Sequence, residues 1–261
     1  AGHSGIGKSA VVNEVQKPII ARRGCFLAGK FDQLQRDVPY APLIQAFQEL
    51  VRQLLGQPEK TLRQWAGKLH AALGSGLGVI VELIPQLSLI VGPTEAIPVS
   101  APEQAQLRLD RVFSRFVEVF AADGHPLVLF LDDLQWADVA TLRMIELLMV
   151  SCDHCHMLFI GAYRDNEVGA AHPLSALRDK LLARGVRLST LTLGALSEPQ
   201  VAQMVSATVR VAVPDCAPLT RACYRKTAGN PFFLHQFLDS LNDHGHLRYR
   251  AADDSWEWDL P

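Results

Sequence analysis

Near the start of the chain runs Gly2-His3-Ser4-Gly5-Ile6-Gly7-Lys8-Ser9, which fits the spacing G-x-x-x-x-G-K-[S/T] in full. No other segment restricts the fold as much, because this loop belongs between a buried strand and a helix. Glycines at fixed places let the backbone curl until successive N–H groups face one anion. The helix that follows directs its positive end at the same point. Lys8 is spaced to reach the outer phosphates of a nucleotide, and the Ser9 hydroxyl to ligate Mg²⁺. Gly2, His3, Ser4, Gly5, Ile6, Gly7, Lys8, Ser9 and Ala10 are therefore the candidate nucleotide-binding residues. Glycine-rich turns also occur without ligands, but Lys8 and Ser9 together set this one apart.

Only Ala1 precedes the loop. The strand that should lead into it is expected upstream of the sequence, so targeting segments are not legible here. The 261 residues have room for a large α/β domain and a smaller one, and 49% hydrophobic content supplies a core. A net charge of −2 offers no basic surface, so neither nucleic acid nor anionic lipid is an expected partner. The most apolar stretch, Leu77 to Val91, holds Glu82, Pro85 and Gln86 and is too short for a membrane span. Five cysteines without a regular framework suit reduced thiols and a cytoplasmic location.

Periodicity assigns the rest. Helices are expected over Ser9–Arg22, Ala41–Leu55, Thr61–Leu73 and Val79–Ile90, the last broken at Pro85. A Pro-containing connector, Gly92–Pro102, leads to a helix over Leu107–Phe120. Its Leu109, Val112, Phe113, Phe116 and Phe120 form an apolar stripe, and Arg108, Arg111 and Arg115 a solvated face. Further helices are expected over Ala140–Val150 and Pro173–Ala183. Cys25–Lys30, Leu127–Leu131, Met157–Tyr163 and Arg187–Leu193 read as strands. Apolar runs without alternation suit parallel strands buried on both faces, and strands alternating with helices imply a doubly wound parallel sheet.

Past Gly194 only helices follow, with Ser197 as N-cap and Gln200 three positions on, then about Ala217–Thr227 and Phe232–His244. Leu247–Tyr249 and Ser255–Trp258 read as a β-hairpin. The expected organisation is an α/β domain over 1–194 with a helical insertion at about 41–100, a helical lid over 195–245, and a hairpin over 246–261 that begins a further segment.

A second set of chemical groups follows the second strand. Asp132 stands at its tip, where a carboxylate beside a phosphate loop holds Mg²⁺, and Asp133 is placed to polarise a water for attack on the terminal phosphate. An Asp-Asp pair alone also opens ordinary turns. Arg164 sits just past the next strand, at the edge where parallel sheets bind ligands, and it reads either as a γ-phosphate sensor or as a surface arginine. Gly229-Asn230-Pro231 opens a later helix and reads either as a turn over a nucleotide or as a plain helix start.

Taken together, Gly2–Ser9, Leu129-Phe130-Leu131-Asp132-Asp133-Leu134-Gln135-Trp136-Ala137-Asp138, Gly161-Ala162-Tyr163-Arg164 and Ala228-Gly229-Asn230-Pro231-Phe232-Phe233-Leu234 resemble the signalling AAA-type ATPase domains related to the STAND and origin-recognition classes. Gly29-Lys30-Phe31-Asp32-Gln33 and Arg36-Asp37-Val38-Pro39-Tyr40-Ala41-Pro42-Leu43 resemble more closely the ATPase module of bacterial sensors in which a Ser/Thr kinase domain precedes and GAF and histidine kinase domains follow. The resemblance implies a P-loop NTPase fold that holds Mg·ATP between an α/β body and a helical lid. It makes Lys8 and Ser9 the phosphate and Mg²⁺ ligands, Asp132 the Mg²⁺-site carboxylate, Asp133 its acidic neighbour and Arg164 the sensor. Pro231 falls at the Gly-x-Pro turn near the adenine. It implies slow hydrolysis, since Asp133 stands where many relatives carry the longer Glu. It also implies partner domains of the same polypeptide and leaves open a homo-oligomer. A nucleotide-dependent scaffold that barely turns over and an origin-type ATPase acting on DNA are the alternatives.

Two rivals are weaker. Cys152-Asp153-His154-Cys155-His156 fits C-x-x-C-H, a haem or metal pattern, but it lies between a helix and a buried strand without room for haem. Gly2-His3-Ser4-Gly5-Ile6 fails as a serine nucleophile elbow because Ile6 occupies the last glycine position.

Overall fold

The computed structural model describes residues 1–21, 24–35, 38–95, 97, 101–121, 125–151, 156–251 and 254–259. They form two compact units. One is Ser9–Thr190; the other joins Ala1–Lys8 to Leu191–Pro261.

The larger unit is built on a parallel three-stranded sheet, β1 (Cys25–Lys30), β2 (Leu127–Asp132) and β3 (Met157–Gly161), in the order β1-β2-β3. Every residue of β2 is buried, as an apolar run in a central parallel strand requires. The register sets Lys30 opposite Asp132 and Leu131 opposite Gly161, so the polar strand tips share one edge. Helix α1 (Lys8–Ala21) precedes β1. Between β1 and β2 lie α2 (Ala41–Leu55), α3 (Glu59–Leu73), α4 (Leu77–Leu83), α5 (Ser88–Val91) and α6 (Pro102–Phe120). Helix α7 (Val139–Ser151) joins β2 to β3, and α8 (Pro173–Ala183) follows.

The expected break at Pro85 is present. Helix α4 stops at Leu83 because Ile84, which precedes the proline, is driven out of the helical region to ψ 78°. Helix α6 starts earlier than its apolar stripe suggests, since Pro102 occupies the first turn, where its missing N–H costs nothing. Its buried face brings Phe113, Phe116 and Phe120 onto Phe47 of α2, with ring centroids 5.5, 5.3 and 6.4 Å away. Of the Arg row expected to be solvated, Arg111 and Arg115 are exposed and Arg108 is half-buried.

One strand is not formed. Residues 187–193, expected as a strand, are irregular. A strand needs a neighbour along its length. Leu193 N–H donates to Ala1 O at 2.9 Å, a single ladder-like contact rather than a strand's length of them. In the connector, residues 96 and 98–100 lie outside the described residues, as do 252–253 of the hairpin turn and 152–155 of the Cys-His stretch.

The smaller unit packs α9 (Glu198–Val209), α10 (Ala217–Thr227) and α11 (Pro231–Asp243) with an antiparallel pair, β4 (Leu247–Arg250) and β5 (Ser255–Trp258). The expected capping box forms, with Ser197 N–H donating to Gln200 Oε1 at 2.8 Å. Val201, Val205, Leu219, Cys223, Leu234 and Leu238 make its core. Gly229 sets the α10–α11 turn. Its φ is 77°, and a Cβ there would lie 2.0 Å from Leu196 O. Burial pushes the Cys223 thiol up to about 11, so it holds its proton at neutral pH. Ellman's reagent at pH 8 is therefore expected to leave Cys223 unmodified in the native chain and to react with it once denaturant is added. Rapid native labelling would contradict this core.

Candidate functional site

The loop and the acidic strand tip fall in different units, and each has its own geometry. In the smaller unit, Gly2, Gly5 and Gly7 all have positive φ, so the loop uses its glycines for conformations other residues rarely adopt. At Gly5 space is short as well: a Cβ would meet Phe232 Cβ at 2.7 Å and Asn230 Oδ1 at 3.0 Å. Lys8 folds back over the loop. Its Nζ donates to Gly2 O at 2.8 Å and His3 O at 2.9 Å. Pro231 occupies the first turn of α11, where Asn230 is the N-cap: Asn230 Oδ1 accepts from Phe232 N–H at 3.0 Å and Phe233 N–H at 3.4 Å. Asn230 Nδ2 donates to Ser4 O at 2.9 Å, and Phe232 N–H also donates to Gly5 O at 3.2 Å.

In the larger unit, Ser9 Oγ donates to Asp132 Oδ2 at 2.7 Å. Helix α1 and strand β2 thus bring together a hydroxyl and a carboxylate 123 residues apart. Asp132 Oδ1 accepts from Asp133 N–H at 2.9 Å. Asp133 itself lies in the left-handed region, φ 55° and ψ 42°, which Asp tolerates better than most residues. Both carboxylates are buried. Asp133 Oδ1 accepts from Gln135 Nε2 at 2.9 Å and faces Arg164 Nε at 3.6 Å, while its Oδ2 faces Lys30 Nζ at 3.6 Å. The Lys30 side chain is 70% exposed, so its pairing is weak; the Arg164 side chain is 27% exposed and better held. Arg164 also pairs with Glu167 at 2.8 Å and lies over the Trp136 ring at 4.9 Å.

Gln135 and Lys30 were not among the residues expected from the sequence. Gln135 is buried and works at three points. Its Nε2 holds Asp133, its Oε1 accepts from Arg164 N–H at 3.1 Å, and its carbonyl faces His172 Nε2 at 3.2 Å. Because His172 Nδ1 accepts from Leu174 N–H, Nε2 is the protonated nitrogen and donates. Asp138 accepts from Thr141 N–H at 2.7 Å and caps α7.

A phosphate-type loop, a hydroxyl on a strand-tip carboxylate and a second acidic residue beside it agree with the family comparison. Residues 1–160 match the model of the AAA ATPase domain. The chain belongs to the AAA ATPase domain family. This AAA ATPase domain is also 28% identical to the Hybrid signal transduction histidine kinase G of Dictyostelium discoideum, over all of the chain but only 9% of the relative's length. The architecture agrees with the family, a mixed α/β unit with a parallel sheet and a C-terminal antiparallel pair. Family membership implies nucleotide binding, and the AAA ATPase domain carries the loop suited to it. Among the described residues no helix is long and apolar enough to cross a membrane, and no group of three or more His, Cys, Asp or Glu side chains is placed to hold a metal ion. The latter does not bear on Mg²⁺, whose sites use few protein ligands beside phosphate and water.

Proposed function

We propose that this AAA ATPase domain binds Mg·ATP, hydrolyses it slowly, and acts as a nucleotide-controlled switch within a multidomain signalling kinase. The observation that carries this reading is the 2.7 Å hydrogen bond between Ser9 Oγ and Asp132 Oδ2. These are hard oxygen donors, the type Mg²⁺ prefers. Ser9 and Asp132 would hold the ion, Lys8 would pair with the outer phosphates, and the loop from Gly2 to Ala10 would supply N–H donors. Pro231 is the residue proposed near the adenine. When bound, Mg²⁺ neutralises charge on the outer phosphates.

Asp133 is proposed to orient the attacking water and Arg164 to meet the terminal phosphate. Slow turnover is supported by the surroundings of Asp133, whose carboxylate is already engaged by Gln135, Arg164 and Lys30. The same observation favours a second reading, a switch that binds nucleotide and scarcely hydrolyses it. A partner arginine raises the rate of phosphoryl-transfer enzymes about 10³–10⁵-fold, so low basal turnover fits a regulated module. The signalling role rests on the histidine kinase relative; kinase and GAF domains of the same polypeptide are the proposed partners.

Titration calorimetry with and without Mg²⁺ tests the site. Ser9→Ala is expected to weaken Mg·ATP binding about tenfold, the loss of one charge-assisted ligand, and to leave metal-free ATP binding unchanged. Equal losses in both conditions would detach Ser9 from the metal.

A further inference from the structure

We infer that Asn230 is a positioning residue for phosphate binding, holding the Ser4–Gly5 peptide group of the Gly2–Ser9 loop with its N–H donor turned toward the anion, beside the Gly5–Ile6 peptide group that Phe232 N–H holds. The inference rests on the nucleotide-binding reading above. Asn230 Nδ2 donates to Ser4 O at 2.9 Å, and Phe232 N–H donates to Gly5 O at 3.2 Å. The chain has no cis peptide bond among the described residues. In a planar trans peptide the C=O and the N–H that follows it point in opposite directions. Fixing Ser4 O and Gly5 O on α11 therefore fixes Gly5 N–H and Ile6 N–H to face away from it. Both belong to the phosphate-binding motif.

The side-chain amide serves two ends at once. Its oxygen caps α11 through Phe232 and Phe233 N–H, and its nitrogen holds the loop. A flipped amide would set oxygen against the Ser4 carbonyl and NH₂ against two N–H groups, so the network fixes the assignment. Gly5 completes the fit, since a Cβ there would collide with Phe232 Cβ at 2.7 Å. The first N–H groups of α11 are spent on the cap and on Gly5 O, so the helix end is not itself an anion site. What α11 contributes is the orientation of the loop.

Two variants separate capping from positioning. Asn230→Ser and Asn230→Asp both keep an N-cap oxygen, and neither keeps the donor to Ser4 O. Both are expected to hold the parent melting temperature. Both are expected to raise the Kd for ATP about five- to tenfold, the worth of one hydrogen bond. The Kd for tripolyphosphate should rise as much, because the defect lies in the anion cradle. In the parent chain, ¹⁵N-resolved amide signals of Gly5 and Ile6 should move on addition of tripolyphosphate. Normal affinity for both ligands in Asn230→Ser, a loss for ATP alone, or Gly5 and Ile6 signals that stay put would each overturn the inference. A parent chain that binds neither ligand overturns the nucleotide reading as well.

Discussion

Lys8→Ala is expected to weaken ATP binding by roughly 100-fold or more, about 2.8 kcal/mol, with a melting temperature close to the parent's. The lysine ammonium is the one cation that the loop motif itself places against the outer phosphates, and a charge-assisted contact is about twice as strong as a neutral one. The same ammonium donates to Gly2 O and His3 O at 2.8 and 2.9 Å. Both of those carbonyls belong to the loop, apart from the core made by Val201, Val205, Leu219 and Leu234. The loss should also be graded. ATP and ADP should lose most and AMP least, because lysine reaches past the first phosphate. An equal loss for all three would mean that alanine had merely loosened the loop. Unchanged ATP affinity in a folded variant would remove the phosphate-loop assignment.

Much of this molecule is legible without coordinates, for identifiable reasons. Leu127–Leu131 is an apolar run because it is the central strand of the sheet and is buried throughout, and burial writes itself into composition. Ile84 leaves the helix because of Pro85, a steric effect of one residue on its neighbour. Residues 187–193, with Leu188, Leu191 and Leu193 among Ser and Thr, carry strand-forming residues, but strand formation depends on a partner that local sequence does not specify. The Gly-x-Pro motif draws notice to Pro231, yet the hydrogen bonds to the loop come from Asn230 and from Phe232. A motif marks the residues that constrain the backbone and passes over the side chain that uses the constraint. Gln135 falls inside the Leu129–Asp138 motif, but nothing in the sequence marks its role. Its value lies in joining Asp133 to the Arg164 backbone 29 residues further on, a relation created by the adjacency of β2 and β3.

Asp132 and Asp133 stand side by side in sequence and in different company in space. Asp132 receives the Ser9 hydroxyl and the Asp133 N–H, so both its oxygens are committed on the metal side of the reading. Asp133 turns through φ 55° and offers its carboxylate to Gln135, Arg164 and Lys30. Asp133→Asn changes the charge and little else, since Asn has the same shape and also tolerates the left-handed region. ATP affinity should stay within about threefold of the parent's, or rise slightly as a negative charge leaves the neighbourhood of the triphosphate. Single-turnover release of the terminal phosphate should fall about 10²–10⁴-fold, the usual worth of a positioned acid–base group. The two measurements must diverge for the assignment to stand. If affinity falls together with the rate, and the fall grows as Mg²⁺ is lowered, then Asp133 is a metal-site ligand and the water must be oriented by another group. If neither changes, the buried cluster around Asp133 is structural, and the switch works without hydrolysis.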